Sequence, residues 1–436
     1  MAITGRTALL AAVGALLVGL LLPSWTGILA VELPLLIAIL YDLARAAPVN
    51  RLHFTRSGDT SVRLGEQAYV HLVVANPSQR RLRAQIRDAW PPSSWPDDAR
   101  QGQGQHHFSL APGERHRVTT HLQPVRRGDR KAERITVRSL GPLGLAGRQG
   151  SHRVPWTVRV LPAFTSRKHL PGKLARLREL DGRTSILTRG EGTEFDSLRE
   201  YIPGDDTRSI DWRATARQST VAVRTWRPER DRRILIVLDT GRTSAGRVGD
   251  APRLDTSMDA ALLLATLASR AGDRVDLLAY DRVPRTTVTG RTANNMLPAF
   301  VEAMAPLEPA LVETDARNMA SAALRTAARG SLIVLLTSLD RAAVEEGILP
   351  VLPLLTQRHT VLIAAITDPQ LQEMERGRGN VEAVYEAAAA ARTRTERNDT
   401  ANTLRRHGAI VIDELPSALA PALADTYLAL KAAGRL

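Results

Sequence analysis

The sequence predicts a multidomain protein: an N-terminal transmembrane helical hairpin, a β-sandwich domain and a C-terminal doubly wound α/β domain. Three observations support this fold class: two apolar runs near the N-terminus, several short alternating strands in the next hundred residues, and buried strands that alternate with helices towards the C-terminus. We place the domains at 1–50, 51–163 and 233–436, with 164–232 as a connector.

The N-terminal hairpin is predicted from the apolar runs Thr7–Leu22 and Gly27–Tyr41. Each run is slightly shorter than the roughly 20 residues that cross a bilayer comfortably, and an uncharged turn joins them. Arginines flank both outer ends, so the positive-inside rule predicts a multi-pass membrane protein with its large soluble part in the cytoplasm. The alternative is a cleaved signal peptide, although the sequence around Pro23 makes a poor cleavage site.

The β-sandwich is predicted from short strands between residues 58 and 160. Tyr69–Ala75 and Leu82–Arg87 alternate apolar and polar side chains, as half-buried strands do. Turn-forming residues at Ala111–Glu114 and Arg127–Asp129 separate further short runs. Six or seven such strands in about 100 residues are typical of an immunoglobulin-like sandwich.

The positive charge of the chain is distributed unevenly. The net charge is +14, of which residues 51–160 carry +11, whereas residues 234–436 carry −2. A basic region directly after an apolar anchor is suited to anionic lipid head groups. Nucleic-acid binding and a generally high arginine content are the alternatives. Because aromatic side chains near the arginines are sparse, we expect no nucleic-acid partner.

From residue 233 onward, continuous apolar runs replace the alternating pattern, as expected for strands buried on both faces of a parallel sheet. The predicted strands are Ile234–Asp239, Arg274–Tyr280, Ser331–Thr337, Thr360–Ile366 and Ala409–Ile412. The predicted helices are Met258–Arg270, Met296–Leu307, Ala316–Ala328, Ala342–Gln357, Glu382–Arg406 and Ser417–Ala433. This alternation predicts a doubly wound parallel sheet.

Several kinds of catalytic chemistry are disfavoured by the residue content. The chain has no cysteine, so it has neither a thiolate metal site nor a disulfide. Lysine is missing between Lys173 and Lys431, so a GxxxxGK[ST] phosphate loop cannot occur in the α/β region. The ten histidines are scattered, and neither HExxH nor GxSxG is present. We therefore expect no enzyme activity and no small-molecule substrate.

The segment Gly192–Arg217, which we call the signature segment, mixes acidic, basic and aromatic side chains densely. We single out Glu194, Phe195, Arg199, Tyr201, Pro203, Gly204, Asp205, Asp206, Arg208, Asp211, Trp212, Arg213 and Arg217. Proline followed by glycine predicts a type II turn, and arginine forks pair readily with carboxylates. The segment is interpreted as a polar clasp between domains or as a charged surface for a partner. The strand Thr220–Trp226 is expected to lead from it into the sheet.

The signature segment, followed by Glu229–Arg233 and the strand to Asp239, resembles the family catalogued as domain of unknown function 58. The order of parts is also similar: paired membrane helices, a β-domain ending near Gly141–Leu145, the signature, and a von Willebrand factor A-like domain. The resemblance covers nearly the whole chain. It implies a bacterial membrane protein, often encoded beside a MoxR-type AAA+ ATPase, with no established enzyme activity.

The resemblance also implies a position for a metal ion. A von Willebrand factor A-like domain typically holds Mg²⁺ through a DxSxS loop after its first strand, a later threonine and a further aspartate. Here Gly241 replaces the first serine, and Ser338 stands at the last aspartate position. The remaining candidate ligands are Asp239, Thr243, Thr314 and Asp340. Because a ligand is lost, we expect no cofactor, with Mg²⁺ as the alternative.

These observations predict a membrane-anchored interaction or adaptor protein. The resemblance implies a MoxR-type AAA+ ATPase as its partner, in the assembly or maturation of other proteins. The partner surface is expected at the carboxyl ends of the strands, beside Asp239, because open α/β sheets bind ligands there. The alternative is a metal-dependent hydrolase that uses the acidic side chains of the signature segment.

Overall fold

The computed structural model describes residues 1–21, 23–187, 194–202, 207–218, 220–227 and 232–436. The chain divides into two compact units, Met1–Leu161 and Pro162–Leu436. Both units contain helices and strands, so the prediction of a multidomain protein with mixed secondary structure is confirmed. The two units are described separately below.

Two apolar helices begin the first unit: α1 spans Gly5–Leu21 and α2 spans Trp25–Arg45. Leu22, the predicted end of the first apolar run, lies outside the described residues. Among the described residues, one helical stretch, from Trp25 to Arg51, is long and apolar enough to cross a membrane, with a mean hydropathy of 2.0 in its most apolar window. The sequence-based expectation of an apolar N-terminal helix is therefore confirmed, whereas a second span remains a prediction.

The two helices pack against each other through small residues. The Ser24 hydroxyl accepts a hydrogen bond from the Gly27 amide at 3.1 Å and caps α2. A side chain at Gly14 would come within 2.5 Å of the Val31 side chain, so glycine permits this close approach of the helices. Most of their large apolar side chains are exposed: Leu9, Leu10, Val13, Leu16, Leu17, Leu20, Leu21, Trp25, Ile28, Leu29, Leu33, Leu36, Ile37, Leu40 and Tyr41.

The rest of the first unit is a two-sheet structure, which we call the sandwich. Its strands are β1 (Ala2–Ile3), β2 (His53–Gly58), β3 (Ser61–Arg63), β4 (Ala68–Ala75), β5 (Leu82–Asp88), β6 (Gln105–Leu110), β7 (Arg115–Leu122), β8 (Gly128–Leu140) and β9 (Ala146–Leu161). One sheet has the order β1-β9-β8-β5-β6, with β3 parallel to β9, and the other has the order β2-β4-β7. Leu72, Ile86 and Ile135 bring both sheets into one apolar core.

The second unit contains the remaining elements. Its helices are α3 (Leu170–Leu187), α4 (Trp212–Gln218), α5 (Arg242–Ala245), α6 (Arg253–Arg270), α7 (Ala293–Met304), α8 (Ala316–Thr326), α9 (Leu349–Thr356), α10 (Pro369–Glu375), α11 (Val381–Arg406) and α12 (Pro416–Ala432). Its strands are β10 (Glu194–Glu200), β11 (Ala222–Arg227), β12 (Arg233–Asp239), β13 (Arg247–Val248), β14 (Ala251–Pro252), β15 (Arg274–Tyr280), β16 (Pro284–Val288), β17 (Leu332–Leu336), β18 (Thr360–Ile366) and β19 (Ile410–Glu414).

The main sheet of this unit has the strand order β16-β15-β12-β17-β18-β19. The five predicted strands are parallel neighbours, so the predicted parallel sheet is confirmed. The sequence analysis missed β16, an antiparallel strand at one edge. Leu235 and Val237 of β12 pack with α8 and α9 on one face. On the other face α6 contacts β12 and β15, so helices cover both faces as predicted.

The signature segment forms a small structure of its own within the second unit. Strands β10 and β11 pair antiparallel as a separate two-stranded sheet, and α4 lies between them in the chain. The expectation that Thr220–Trp226 leads into the main sheet is therefore wrong: its hydrogen bonds go to β10 instead. The two strands lie close together in the chain, which favours their antiparallel pairing.

Candidate functional site

Asp239 occupies the last position of β12, a central strand of the main sheet. The strand is buried because apolar neighbours cover both of its faces, and its carboxyl end brings the aspartate to the edge where α/β sheets bind ligands. The Asp239 side chain is buried, with 4 % of the residue's surface exposed. Such a carboxylate must be compensated by hydrogen bonds or by a cation.

Hydroxyl groups from three separate segments donate hydrogen bonds to Asp239. Thr314 donates to Oδ1 at 2.5 Å, and the Gly241 amide donates to the same oxygen at 2.8 Å. Thr337 donates to Oδ2 at 2.6 Å, and Thr243 donates to it at 3.3 Å. We call Asp239, Thr243, Thr314 and Thr337 the Asp239 cluster. Neutral donors hold the carboxylate without removing its charge.

The Asp239 cluster fits Mg²⁺ poorly. Its oxygens are hard donors of the kind that Mg²⁺ prefers, but it contains one carboxylate and Gly241 adds no side-chain oxygen. A side chain at Gly241 would come within 2.0 Å of Thr314 Oγ1, so Thr314 fills the space that a serine there would need. Within the described part of the chain, no group of three or more His, Cys, Asp or Glu side chains could hold a metal ion.

The structure brings Thr243 and Thr314 to Asp239, whereas no hydrogen bond within the described residues joins Asp340 to that carboxylate. Strand β17 ends at Leu336, so Thr337 is the first residue beyond it and contacts Asp239. Asp340 is exposed, and its charge acts on Arg253 at the start of α6. The sequence analysis missed Thr337, although its position directly after an apolar strand is a usable signal.

The positive charge of Arg242 is paired beside the cluster. Arg242 Nη2 lies 2.5 Å from Glu313 Oε1, and the Arg242 amide donates to the Val312 carbonyl at 2.8 Å. Two residues earlier in the chain, Thr240 donates from its hydroxyl to the buried carboxylate of Asp281 at 3.2 Å. These bonds hold the loop after β12 against the segment that carries Thr314.

Within the signature segment, Asp211 has the best-defined role. Its Oδ2 accepts from Arg224 Nε at 2.8 Å, and its Oδ1 accepts from the amides of Arg213 and Ala214 at 3.0 Å. These amide bonds, Ala214 foremost, together with Arg224 lower the pKa of the Asp211 carboxyl. Asp211 therefore caps α4 and joins it to β11, and a catalytic or metal-binding role gains no support from it. The sequence analysis missed Arg224 as the partner.

The other signature residues are spread over β10, α4 and the residues next to them. Glu194, Phe195 and Arg199 lie on β10, and Tyr201 follows it; Arg208 precedes α4, whereas Trp212, Arg213 and Arg217 lie on α4. Pro203, Gly204, Asp205 and Asp206 lie outside the described residues. Trp212 is 69 % exposed and Ile202 is 60 % exposed, so the structure formed by β10, α4 and β11 presents apolar as well as charged surface.

A second polar region lies at the carboxyl ends of β18 and β19. A cavity of about 850 Å³ there is lined by several arginines, including Arg376 and Arg394. Its most buried arginine, Arg397, donates to Asp413 at 2.6 and 3.1 Å, and Thr367 donates to the same carboxylate at 2.8 Å. The cavity is thus built on an ion pair that joins α11 to β19.

Comparison with known proteins identifies the class to which this arrangement belongs. Residues 197–409 match the family described as protein of unknown function DUF58. The matched region contains the Asp239 cluster, α4, β11 and most of β10.

The similar curated proteins are mycobacterial and uncharacterised. Protein Rv1480 of Mycobacterium tuberculosis is 28 % identical over 190 residues, which is 43 % of this chain and 59 % of the relative. Protein Mb1516 of Mycobacterium bovis matches with the same figures. The chain therefore matches about three fifths of the length of these relatives.

Two of the similar solved structures each cover about a quarter of the chain. The CARDB domain of the PF1109 protein from Pyrococcus furiosus is 16 % identical, covers 25 % of this chain and 86 % of its own, and has a TM-score of 0.19. A β-glucosidase from Listeria innocua is 15 % identical, covers 24 % of this chain and 16 % of its own, and has a TM-score of 0.14.

Proposed function

We propose that this protein is a membrane-anchored adaptor that binds another protein at the carboxyl edge of its main sheet. The Asp239 cluster carries this proposal: a buried carboxylate, held by neutral donors, stands at the edge where such sheets bind ligands. Within the described residues, the hydrogen bonds to this carboxylate come from neutral donors, so a basic side chain of a partner would supply a counter-charge. Binding without a resident metal ion is consistent with the poor fit of the cluster to Mg²⁺.

The resemblance described above extends this proposal to the domain type and to the partner. An antiparallel strand at one sheet edge and an aspartate at the end of β12 agree with a von Willebrand factor A-like domain. A MoxR-type AAA+ ATPase is the partner that the resemblance implies, and the adaptor would serve the assembly or maturation of other proteins. The hydrolase alternative gains no support from Asp211, because that carboxylate is engaged by Arg224 and by an amide of α4.

The test for the partner site is crosslinking in intact bacterial membranes, followed by mass spectrometry and by binding measurements with the purified ATPase. We expect the wild-type chain to capture a MoxR-type ATPase and Asp239→Asn to weaken its binding at least tenfold. Asp340→Asn is the matched control, because it removes an exposed acid at the same end of the sheet but outside the cluster. Recovery of no AAA+ protein, or equal binding by Asp239→Asn, would contradict the proposal.

We further propose that α1 and α2 both cross the cell membrane and leave the soluble part in the cytoplasm. Exposed apolar side chains on both helices support this arrangement. The chain has no cysteine, so a single introduced cysteine is a unique label. A membrane-impermeant maleimide is expected to label Ser24→Cys, in the turn, but not Gln79→Cys in intact cells. Labelling of Gln79→Cys alone would indicate the opposite orientation.

A further inference from the structure

Hydrogen bonds join the base of the helical hairpin, which α1 and α2 form, to one loop of the sandwich. The Asp42 carboxylate, fully buried near the end of α2, accepts hydrogen bonds from the amides of Leu143, Leu145 and Ala146 at 2.8, 2.6 and 3.1 Å. Gly141 lies against the same carboxylate: a side chain there would come within 2.4 Å of it. The loop Gly141–Ala146 therefore fits around Asp42.

Hydrogen bonds also join α1 and the residue before it to the same loop. The hydroxyl of Thr4 donates to the carbonyl of Gly144 at 2.8 Å, and the hydroxyl of Thr7 donates to the carbonyl of Leu145 at 2.5 Å. Both helices thus meet the sandwich at one place, and the surface around that place has a fixed shape.

Five exposed arginines surround this junction: Arg6, Arg45, Arg80, Arg83 and Arg148, which we call the arginine collar. Two belong to the helices, whereas three come from the sandwich, distant in sequence. The fold therefore collects positive charge at the hairpin base that neither part would provide alone.

Hydrogen bonds fix the three collar arginines of the sandwich in place. Arg80 donates to the carbonyls of Ala44 and Ala46, Arg83 donates to the carbonyl of Pro142 at 2.6 Å, and Arg148 donates to the carbonyl of Leu43 at 3.1 Å. A guanidinium has five N–H donors, so these bonds leave each group with donors to spare. Arginines held in this way are well suited to bidentate contacts with phosphate.

We propose that the arginine collar binds the phosphate groups of anionic phospholipids. This inference rests on the proposed membrane insertion of the hairpin. The exposed apolar surface of α2 continues to Leu40 and Tyr41 and is followed at once by the collar, as expected where a membrane's hydrocarbon ends and its head groups begin. Basic groups close to an anionic membrane surface are attracted to it electrostatically.

Free phosphate is the other source of the same chemistry, but the surroundings favour lipid. The junction exposes Leu143 beside the arginines, with 48 % of its surface accessible, and thus offers an apolar contact that a lipid can use and inorganic phosphate cannot. Asp42, the acid at the centre of the junction, is buried and bonded to backbone amides, so it does not face the ligand.

The test compares the thermal stability of the full chain in two kinds of nanodisc: phosphatidylcholine alone, and phosphatidylcholine mixed with phosphatidylglycerol. We expect the wild-type Tm to be higher in the anionic bilayer. The combined variant Arg80→Gln, Arg83→Gln, Arg148→Gln is expected to lose more than half of this rise. Because each variant is compared with itself in two bilayers, any general loss of stability cancels. Replacement of the same three residues by lysine should keep part of the rise in Tm. Lysine keeps the positive charge but lacks the planar guanidinium that makes two parallel hydrogen bonds to a phosphate.

The matched control is Arg87→Gln, Arg100→Gln, Arg126→Gln, which removes equal charge from exposed positions of the sandwich outside the collar. We expect it to keep the full rise. An equal loss in this control would mean that net charge, and not the collar, is responsible, and would overturn the inference.

Two further measurements separate the possible failures. If alkaline extraction releases the chain from membranes, the proposed anchoring fails. If the chain stays inserted but the anionic lipid does not raise its Tm, the collar proposal alone fails. Inorganic phosphate added to the phosphatidylcholine nanodiscs should not reproduce the rise; if it does, the ligand is free phosphate and the lipid assignment is wrong.

Discussion

Asp88 in the sandwich and Asp239 in the main sheet are both buried, yet they are held by different partners. Arg56 lies 2.5 Å from Asp88, both side chains are 1 % exposed, and Trp90 donates to the same carboxylate at 2.8 Å. Asp239 accepts its bonds from threonine hydroxyls and from one amide. The charge of Asp88 is therefore paired with a cation inside the chain, whereas the hydrogen bonds that the structure describes at Asp239 come from neutral donors.

This difference indicates different roles for the two carboxylates. An ion pair that is fully enclosed can contribute to architecture but cannot reach a partner molecule. A carboxylate at the carboxyl end of a central strand, compensated only by dipoles, retains its attraction for a cationic group. Substitutions at Asp88 should thus change stability, and substitutions at Asp239 should mainly change binding.

Asp88→Ala should destabilise the sandwich by about 3–5 kcal/mol, because it leaves the Arg56 guanidinium buried without its counter-charge. Urea unfolding of the full chain in detergent, followed by tryptophan fluorescence, measures this effect. Asp129→Ala is the control: it breaks the more exposed pair with Arg159 and should cost only about 0–1 kcal/mol. Similar losses for the two variants would contradict a structural role specific to Asp88.

Thr337→Asp would place a second carboxylate beside Asp239 and convert the neutral environment into an acidic one. Two unit charges about 4 Å apart repel by about 4 kcal/mol at an effective dielectric constant of 20, so we expect a loss of roughly 2–4 kcal/mol. Mg²⁺ should restore part of the stability of this variant and should change the wild-type Tm little. Thermal unfolding with and without Mg²⁺ measures this difference. A large rise in the wild-type Tm on addition of Mg²⁺ would show that the natural cluster binds the ion.

Sequence patterns predicted the parts of the second unit that depend on continuous burial. The run Ile234–Asp239 is almost entirely apolar, which is typical of a strand in the middle of a sheet. The observed β12 differs from the predicted strand by one residue. Strand β16 was missed because Pro284–Val288 contains two threonines and one exposed arginine and has no apolar run. Edge strands are partly exposed to solvent, so their sequences need not contain a continuous apolar run.

The candidate site was only partly predictable, because it depends on distances between segments far apart in the chain. Asp239 and Thr314 follow from the resemblance, whereas the contact with Thr337 depends on where β17 ends. In the same way, Arg224 meets Asp211 because β11 pairs with β10 and not with the main sheet. Strand pairing of this kind is not encoded in local periodicity.

Asp239→Asn should change stability by only about 1 kcal/mol, because the threonine hydroxyls can rotate to donate to or accept from the amide. Its effect on partner binding should be far larger. Measuring unfolding and ATPase binding on the same preparation separates the two effects. A stability loss as large as that of Asp88→Ala would show that Asp239 is chiefly structural and would remove the contrast between the two carboxylates.

His106 provides the smallest and most local test, because it contacts the Asp88 network. Its Nε2 lies 3.1 Å from the Thr120 hydroxyl, which in turn donates to Asp88 at 3.3 Å. Burial lowers the pKa of His106 below its ordinary value of 6.5, although the charge of Asp88 opposes this effect. The unfolded chain therefore binds the proton more readily than the folded chain does.

The sign of the pH effect follows directly. The stabilisation that neutral His106 provides is complete above pH 6.5 and is lost as the pH falls through the lower pKa of the folded state. Urea unfolding between pH 7 and pH 5 should show this loss, and His106→Gln should reduce the slope. His53→Gln, at an exposed position on β2, is the matched control and should keep the slope. An unchanged slope in His106→Gln would mean that the pH sensitivity of the sandwich originates outside the Asp88 network.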